Sequence, residues 1–110
     1  MACVELIRVF TSLAEKINQD PTGISHLNDV YQLEVTSGIY QVRFADGQAE
    51  WAEGNKWEPT CSLQIKDEDL LKLVTGKLGA TTAVMMGKLK VKGSIEAALR
   101  LQKVLKHYAS

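Results

Sequence analysis

The sequence has little to staple a fold, to hold it in a membrane or to bind polyanions. Only Cys3 and Cys61 could cross-link, too few for a disulfide framework, and such usage fits a reducing, intracellular compartment. Both fall on apolar faces and read as small, inert core residues. Neither charge sign dominates: 13 Lys and Arg stand against 13 Asp and Glu. That balance argues against a nucleic-acid binder, which carries a basic excess. Apolar runs are short, and Ala83 to Met86 falls far below the roughly 20 residues of a membrane span. Glu5 and Arg8 interrupt the first apolar stretch, unlike a secretory signal. Tyr108-Ala109-Ser110 does not match the Ser-Lys-Leu peroxisomal address.

The signatures of catalysis are also missing. There is no G-x-S-x-G, no P-loop and no dinucleotide glycine fingerprint. His26 and His107 each stand alone, so no metal or other cofactor is expected. Asp67, Glu68 and Asp69 form the one acidic cluster, and it reads as the solvated cap of a helix. No enzyme is indicated.

What is present is a globular inventory. Hydrophobic residues make up 45% of the 110 residues, with zero net charge, which excludes a disordered chain. The length suits a single domain over residues 1–110, which buries roughly two-thirds of its unfolded surface.

The first element reads as an amphipathic helix. Cys3, Leu6, Ile7, Phe10, Leu13, Ala14 and Ile17 fall on one stripe. Glu5, Arg8, Ser12, Glu15 and Lys16 take the other side, and Asp20-Pro21 and Gly23 end it. Its balanced polar face suits docking on a sheet better than lying on a membrane. Strands follow. Leu27, Tyr31, Leu33 and Val35 alternate with polar residues, as do Tyr40, Val42 and Phe44. Asp46-Gly47 predicts the hairpin to a third strand, Gln48 to Glu53, carrying Ala49 and Trp51. One apolar face of this meander must be covered, and the helices are the available cover.

A fourth strand is predicted over Thr60 to Ile65. Asp67 is placed as the N-cap of a short helix bearing Leu70, Leu73 and Val74, which stops near Gly76. Ala80 to Met86 reads as another short helix, and Lys88 to Lys92 as a fifth strand. Its alternating lysines suit either the wet face of a sheet or a modest basic stripe toward lipid headgroups or phosphate. Ser94 caps a final helix reaching about Tyr108. Ala97, Ala98, Leu101, Val104, Leu105 and Tyr108 form its apolar face. Ile95 and Leu99 fall off that stripe and hint at a second contact surface. Val84-Met85-Met86 suits either a gap-filling core or the wall of an apolar ligand pocket, and pattern does not separate the two.

The order Pro59-Thr60-Cys61-Ser62-Leu63-Gln64-Ile65, Asp67-Glu68-Asp69-Leu70, Thr75-Gly76-Lys77 and Gly87-Lys88-Leu89-Lys90-Val91-Lys92-Gly93 resembles the sterol carrier protein 2 family. The closing helix with Ala98, Leu101 and Gln102 extends the resemblance, which runs from about Leu27 to Leu105. The first helix agrees in kind rather than in motif. The resemblance implies an α/β (α+β) fold: a five-stranded mixed β-sheet with helices covering one face and an apolar tunnel between them. It further implies an intracellular lipid carrier, for fatty acids, fatty acyl-CoA, sterols or other apolar lipids, standing alone without a fused thiolase or dehydrogenase. Some family members have Phe-Phe-Gln where this chain has Val84-Met85-Met86, so a reshaped, fully apolar pocket is expected. Lacking the peroxisomal tail of animal members, the chain is expected to be cytoplasmic and prokaryotic.

On this reading Leu13, Trp51, Val84, Met85, Met86, Leu101 and Leu105 line the lipid pocket. A sixteen-carbon chain leaving water gains about 13 kcal/mol gross, at roughly 0.8 kcal/mol per methylene. The expected partners are a lipid ligand and transient membrane contact, with no nucleic acid, as a monomer or a homodimer. Two alternatives remain open: an accessory lipid-presenting or scaffold domain for isoprenoid-quinone synthesis, and a purely structural dimerisation module.

Overall fold

The computed structural model describes residues 4–108, so the expectation for Cys3 and the chain's last two residues lies outside the described part. The first helix, α1, spans Val4–Gln19. It buries Leu6, Phe10 and Ile17 and turns Glu5, Arg8 and Lys16 to solvent, as its periodicity predicts. A short 3-10 turn, Pro21–Ile24, then brings the chain to the sheet, with the proline at its start. Tyr108 pins this turn: its hydroxyl donates to the Asp20 carbonyl and accepts from the Gly23 N–H. Gly23 leaves room for that contact, since a Cβ there would sit 2.8 Å from the Tyr108 ring.

Three strands form the expected meander: β1 (Asp29–Val35), β2 (Gly38–Ala45) and β3 (Gln48–Glu53). Asp46 and Gly47 make the β2–β3 turn with φ of 54° and 71°. Both are left-handed, as such a tight hairpin requires. A long connection then returns the chain to β4 (Cys61–Ile65), which pairs parallel to β1 with Tyr31 opposite Cys61. Helices α2 (Asp67–Val74) and α3 (Ala80–Met85) lead to β5 (Leu89–Gly93), antiparallel to β4. Helix α4 (Ile95–Tyr108) closes the fold. The sheet is five-stranded and mixed, in the order β3-β2-β1-β4-β5.

The helices cover one sheet face, where Tyr31, Leu33, Phe44, Cys61, Leu63 and Leu89 point inward. The other face is polar but not bare. Gln41 is fully buried there, because its amide accepts from the Trp57 N–H at 2.8 Å and donates to the Trp57 carbonyl at 2.7 Å. That pair ties the β3–β4 connection down across the sheet. The exposed edge of β3 is blunted in a similar way. Asn18 accepts from the Ala49 N–H and donates to its carbonyl, at 2.8 and 3.2 Å.

One charge pair joins a buried carboxylate to a half-exposed arginine. The Asp29 carboxylate, 5% exposed, receives Arg100 through Nε at 2.9 Å and Nη2 at 3.0 Å. Tyr31 donates to the Ala97 carbonyl at 2.6 Å, beside the same carboxylate. Together they fasten β1 to α4.

Some expectations shift. β1 starts at Asp29 rather than Leu27. Asp67 is not the N-cap of α2: Lys66 holds that position, without a side-chain bond. The Asp67 carboxylate instead accepts from the Ser37 N–H and hydroxyl in the β1–β2 turn, at 3.2 and 3.1 Å. The acidic cluster is not wholly solvated either, since Asp69 is buried and faces Lys88 at 3.8 Å. Ser94 does cap α4, accepting from the Ala97 N–H. Cys61 is buried, and that burial pushes its thiol up, as suits an inert core residue.

Candidate functional site

An apolar groove of about 290 Å³ lies between α3, β5 and α4. Its floor is the end of the sheet, with Leu63, Leu89 and Val91, and Leu73 closes it from α2. Ala80, Val84 and Met85 form one wall, while Ala98, Leu99 and Leu101 form the other. Thr81 and Gln102 are its polar members, and among the described residues no charged side chain lines it.

The rim is unusually apolar and open. Met85 is 82% exposed, Ile95 69%, Leu99 53% and Val84 49%. These residues are therefore not gap-filling core, one of the two readings that pattern left open for Val84 to Met86. Single exposed apolar residues are ordinary, but a cluster around a concave apolar surface marks a binding site. Local geometry explains the exposure. Gly79 and Gly87 bound α3, and Gly87 adopts φ of 73°, a left-handed stop that turns the chain into β5. Such a short helix buries Ala83, half-buries Ala80 and presents the rest outward.

The groove leads inward. Leu63, Leu73 and Leu101 also border a void of about 30 Å³ between sheet and helices, lined further by Leu13, Phe10, Val74 and Leu105. Beyond Phe10, Leu13, Val42 and Phe44 lies a last space of about 10 Å³ beside Trp51. These inner spaces have room for no more than a few water-sized groups. A nearly filled interior thus backs the open groove.

The expected lining residues divide accordingly. Val84, Met85 and Leu101 share the groove. Met86 sits next to them, 59% exposed, without lining it. Leu13 and Leu105 line the interior void, and Leu101 belongs to both spaces. Trp51 is not on the groove: it packs on Phe10, with ring centroids 5.7 Å apart, at the far end of the core. The groove also uses Leu63, Leu73, Leu89, Val91, Ala98, Ile95 and Leu99. The first five read simply as core in the sequence. Ile95 and Leu99 carried a signal, since they depart from the apolar stripe of α4.

Comparison with known proteins agrees with this architecture. Hydroxysteroid dehydrogenase-like protein 2 of Rattus norvegicus is 34% identical over 85 residues, covering 74% of this chain and 16% of that protein. Sterol carrier protein 2 of Gallus gallus is 27% identical over 101 residues, covering 86% of this chain and 18% of that protein. The chain thus spans under a fifth of the length of these relatives. Among solved structures, the sterol carrier protein domain 2 of Helicoverpa armigera aligns with a TM-score of 0.80 at 22% identity, over 93% of this chain and 86% of that one. Palmitated SCP2L2 from Aedes aegypti gives 0.70 at 20% identity, over 93% and 95%. The UbiJ-SCP2 ubiquinone synthesis protein gives 0.72 at 20% identity, over 92% and 96%. These likenesses speak for the fold. Residues 10–106 match the SCP-2 sterol transfer family, taking in most of α1 as well as the motifs from β1 onward, and the chain belongs to that family.

Proposed function

We propose that this domain carries a long-chain lipid, a fatty acid or a related acyl or isoprenoid compound, with the chain lying in the groove between α3, β5 and α4. The observation that carries this reading is the groove itself: about 290 Å³, lined almost entirely by aliphatic side chains and open to solvent through an apolar rim. It lies at the small end of the range for ligand pockets, roughly 300–1,000 Å³. Part of a long chain fits at once, and the remainder enters as the interior void widens. Methionines at the entrance suit ligands of varied shape, because the side chain is flexible and polarizable. With few polar anchors, affinity comes from burial and discrimination stays broad.

The gross gain from the chain exceeds the roughly 4–15 kcal/mol that association costs over most of that range, so micromolar binding of palmitate is expected. Titration calorimetry tests it, together with Ala98→Trp, which fills the groove from α4. Palmitate binds the wild type, and Ala98→Trp weakens it at least about tenfold with an unchanged melting temperature. Undiminished binding in that variant, or none in the wild type, rejects the reading.

A second reading has one specific support, the similar fold of the UbiJ-SCP2 ubiquinone synthesis protein. Here the exposed rim at Met85, Ile95 and Leu99 presents an isoprenoid-quinone precursor to an enzyme. Co-purification of a quinone-modifying methyltransferase or hydroxylase, lost on Met85→Asp, favours it over simple carriage.

A further inference from the structure

A second cleft, of about 250 Å³, lies where α1 passes Val74 and Thr75 of α2 and Tyr108 of α4. It differs in kind from the groove. Arg8, Ser12 and Lys16 are spaced by four along α1, so they stack on one stripe and share the cleft. Among the described residues no carboxylate lines it. Among the described residues neither Arg8 nor Lys16 enters an ion pair, with Glu5 and Glu15 of the same helix included. The end of α2 faces them with roughly half a negative charge at most. Of its last carbonyls, those of Leu71, Lys72 and Leu73 are already taken by the N–H groups of Thr75, Lys77 and Gly76. Among the described residues two full positive charges therefore exceed the local negative charge by more than one unit.

The base of this cleft is apolar. Leu13 and Val74 belong both to it and to the interior void. The two spaces adjoin at those side chains, so a polar head outside and an apolar tail inside can meet across Leu13 and Val74.

We propose that the cleft is the head-group site for a monoanionic lipid, a carboxylate in the simplest case, held between Arg8 and Lys16 with its tail passing Leu13 and Val74 into the interior. This rests on the carrier reading and adds to it the charge class of the ligand and the end at which its head sits. The excess charge suits one negative charge rather than two. Ser12 offers a hydroxyl donor between the cations.

The test compares palmitate with 1-hexadecanol, which has the same chain and no charge, on wild type and on Arg8→Gln/Lys16→Gln. Both residues are exposed, so the double variant keeps its melting temperature. Wild type binds palmitate about tenfold more tightly than hexadecanol, the double variant loses that preference, and hexadecanol binding stays unchanged. Arg8→Lys/Lys16→Arg keeps the preference. Acetate and inorganic phosphate, up to millimolar concentration, do not displace palmitate. The proposal is overturned if the double variant binds palmitate like wild type, or if the small anions compete with it as a free-ion site would allow. Failure of both lipids to bind wild type overturns the carrier reading itself, and this proposal with it.

Discussion

Tyr31 holds the sheet to α4 through one oxygen. Its ring is fully buried and its hydroxyl reaches the Ala97 carbonyl at 2.6 Å. Tyr31→Phe leaves that carbonyl without its partner and costs about 1–2 kcal/mol, read as a lower urea midpoint. Burial, and then the Asp29 charge, push the phenol above its ordinary value of 10.0. The folded state therefore keeps the proton longer than the unfolded chain does. Tyr31's contribution is full below about pH 10 and falls as pH rises beyond it. Other groups also titrate there, so the check is a difference. The stability gap between wild type and Tyr31→Phe narrows above about pH 10 and is flat from pH 6 to 9. A constant gap across that range contradicts the assignment. Alternation placed Tyr31 in the core, but nothing local announced its partner. Asp29 and Arg100 meet across 71 residues, and a pair so distant leaves no periodic trace.

At the scale of elements, strong periodicity carried well. α1, the meander and α4 are legible because each has one wet face and one dry face, and because Asp46-Gly47 suits only a tight turn. The start of α2 was legible to within one residue, but the role of its first acid was not. Asp67-Glu68-Asp69 looks like a capping sequence, yet Ser37, thirty residues earlier, takes the Asp67 carboxylate. Two substitutions separate true caps from apparent ones. Ser94→Ala removes the oxygen that receives the Ala97 N–H and lowers stability by about 1 kcal/mol, with faster amide exchange in the first turn of α4. Asp67→Ala speeds exchange at Ser37 while the amides of α2 keep their protection. Fraying confined to α2 in that variant would restore Asp67 as its cap.

Taken as a whole, the molecule has three adjoining apolar spaces, each sharing lining side chains with the next. The groove of about 290 Å³ gives way at Leu63, Leu73 and Leu101 to a void of about 30 Å³. Phe10, Leu13, Val42 and Phe44 then separate that void from the small space beside Trp51. Sequence pattern marked part of this lining. Val84, Met85 and Leu101 fell on it, but a filled core and a lined groove present the same alternation, and only the packing of α3 tells them apart. Trp51 was legible as inward-facing; that it lies at the opposite end depends on strand order. Its position makes it a gauge of depth. A short chain fits the groove without touching the interior, whereas a long one must part Leu101 from Leu63 and reach Phe10, against which Trp51 packs. In a Trp57→Phe background, which leaves Trp51 as the sole indole, 1-octanol leaves the emission unchanged. Under the same conditions 1-hexadecanol shifts it. Calorimetry across temperature gives the more negative heat-capacity change for hexadecanol, because more apolar surface leaves water. Equal Trp51 responses to the two alcohols would mean that the interior stays shut and the ligand is held at the groove alone.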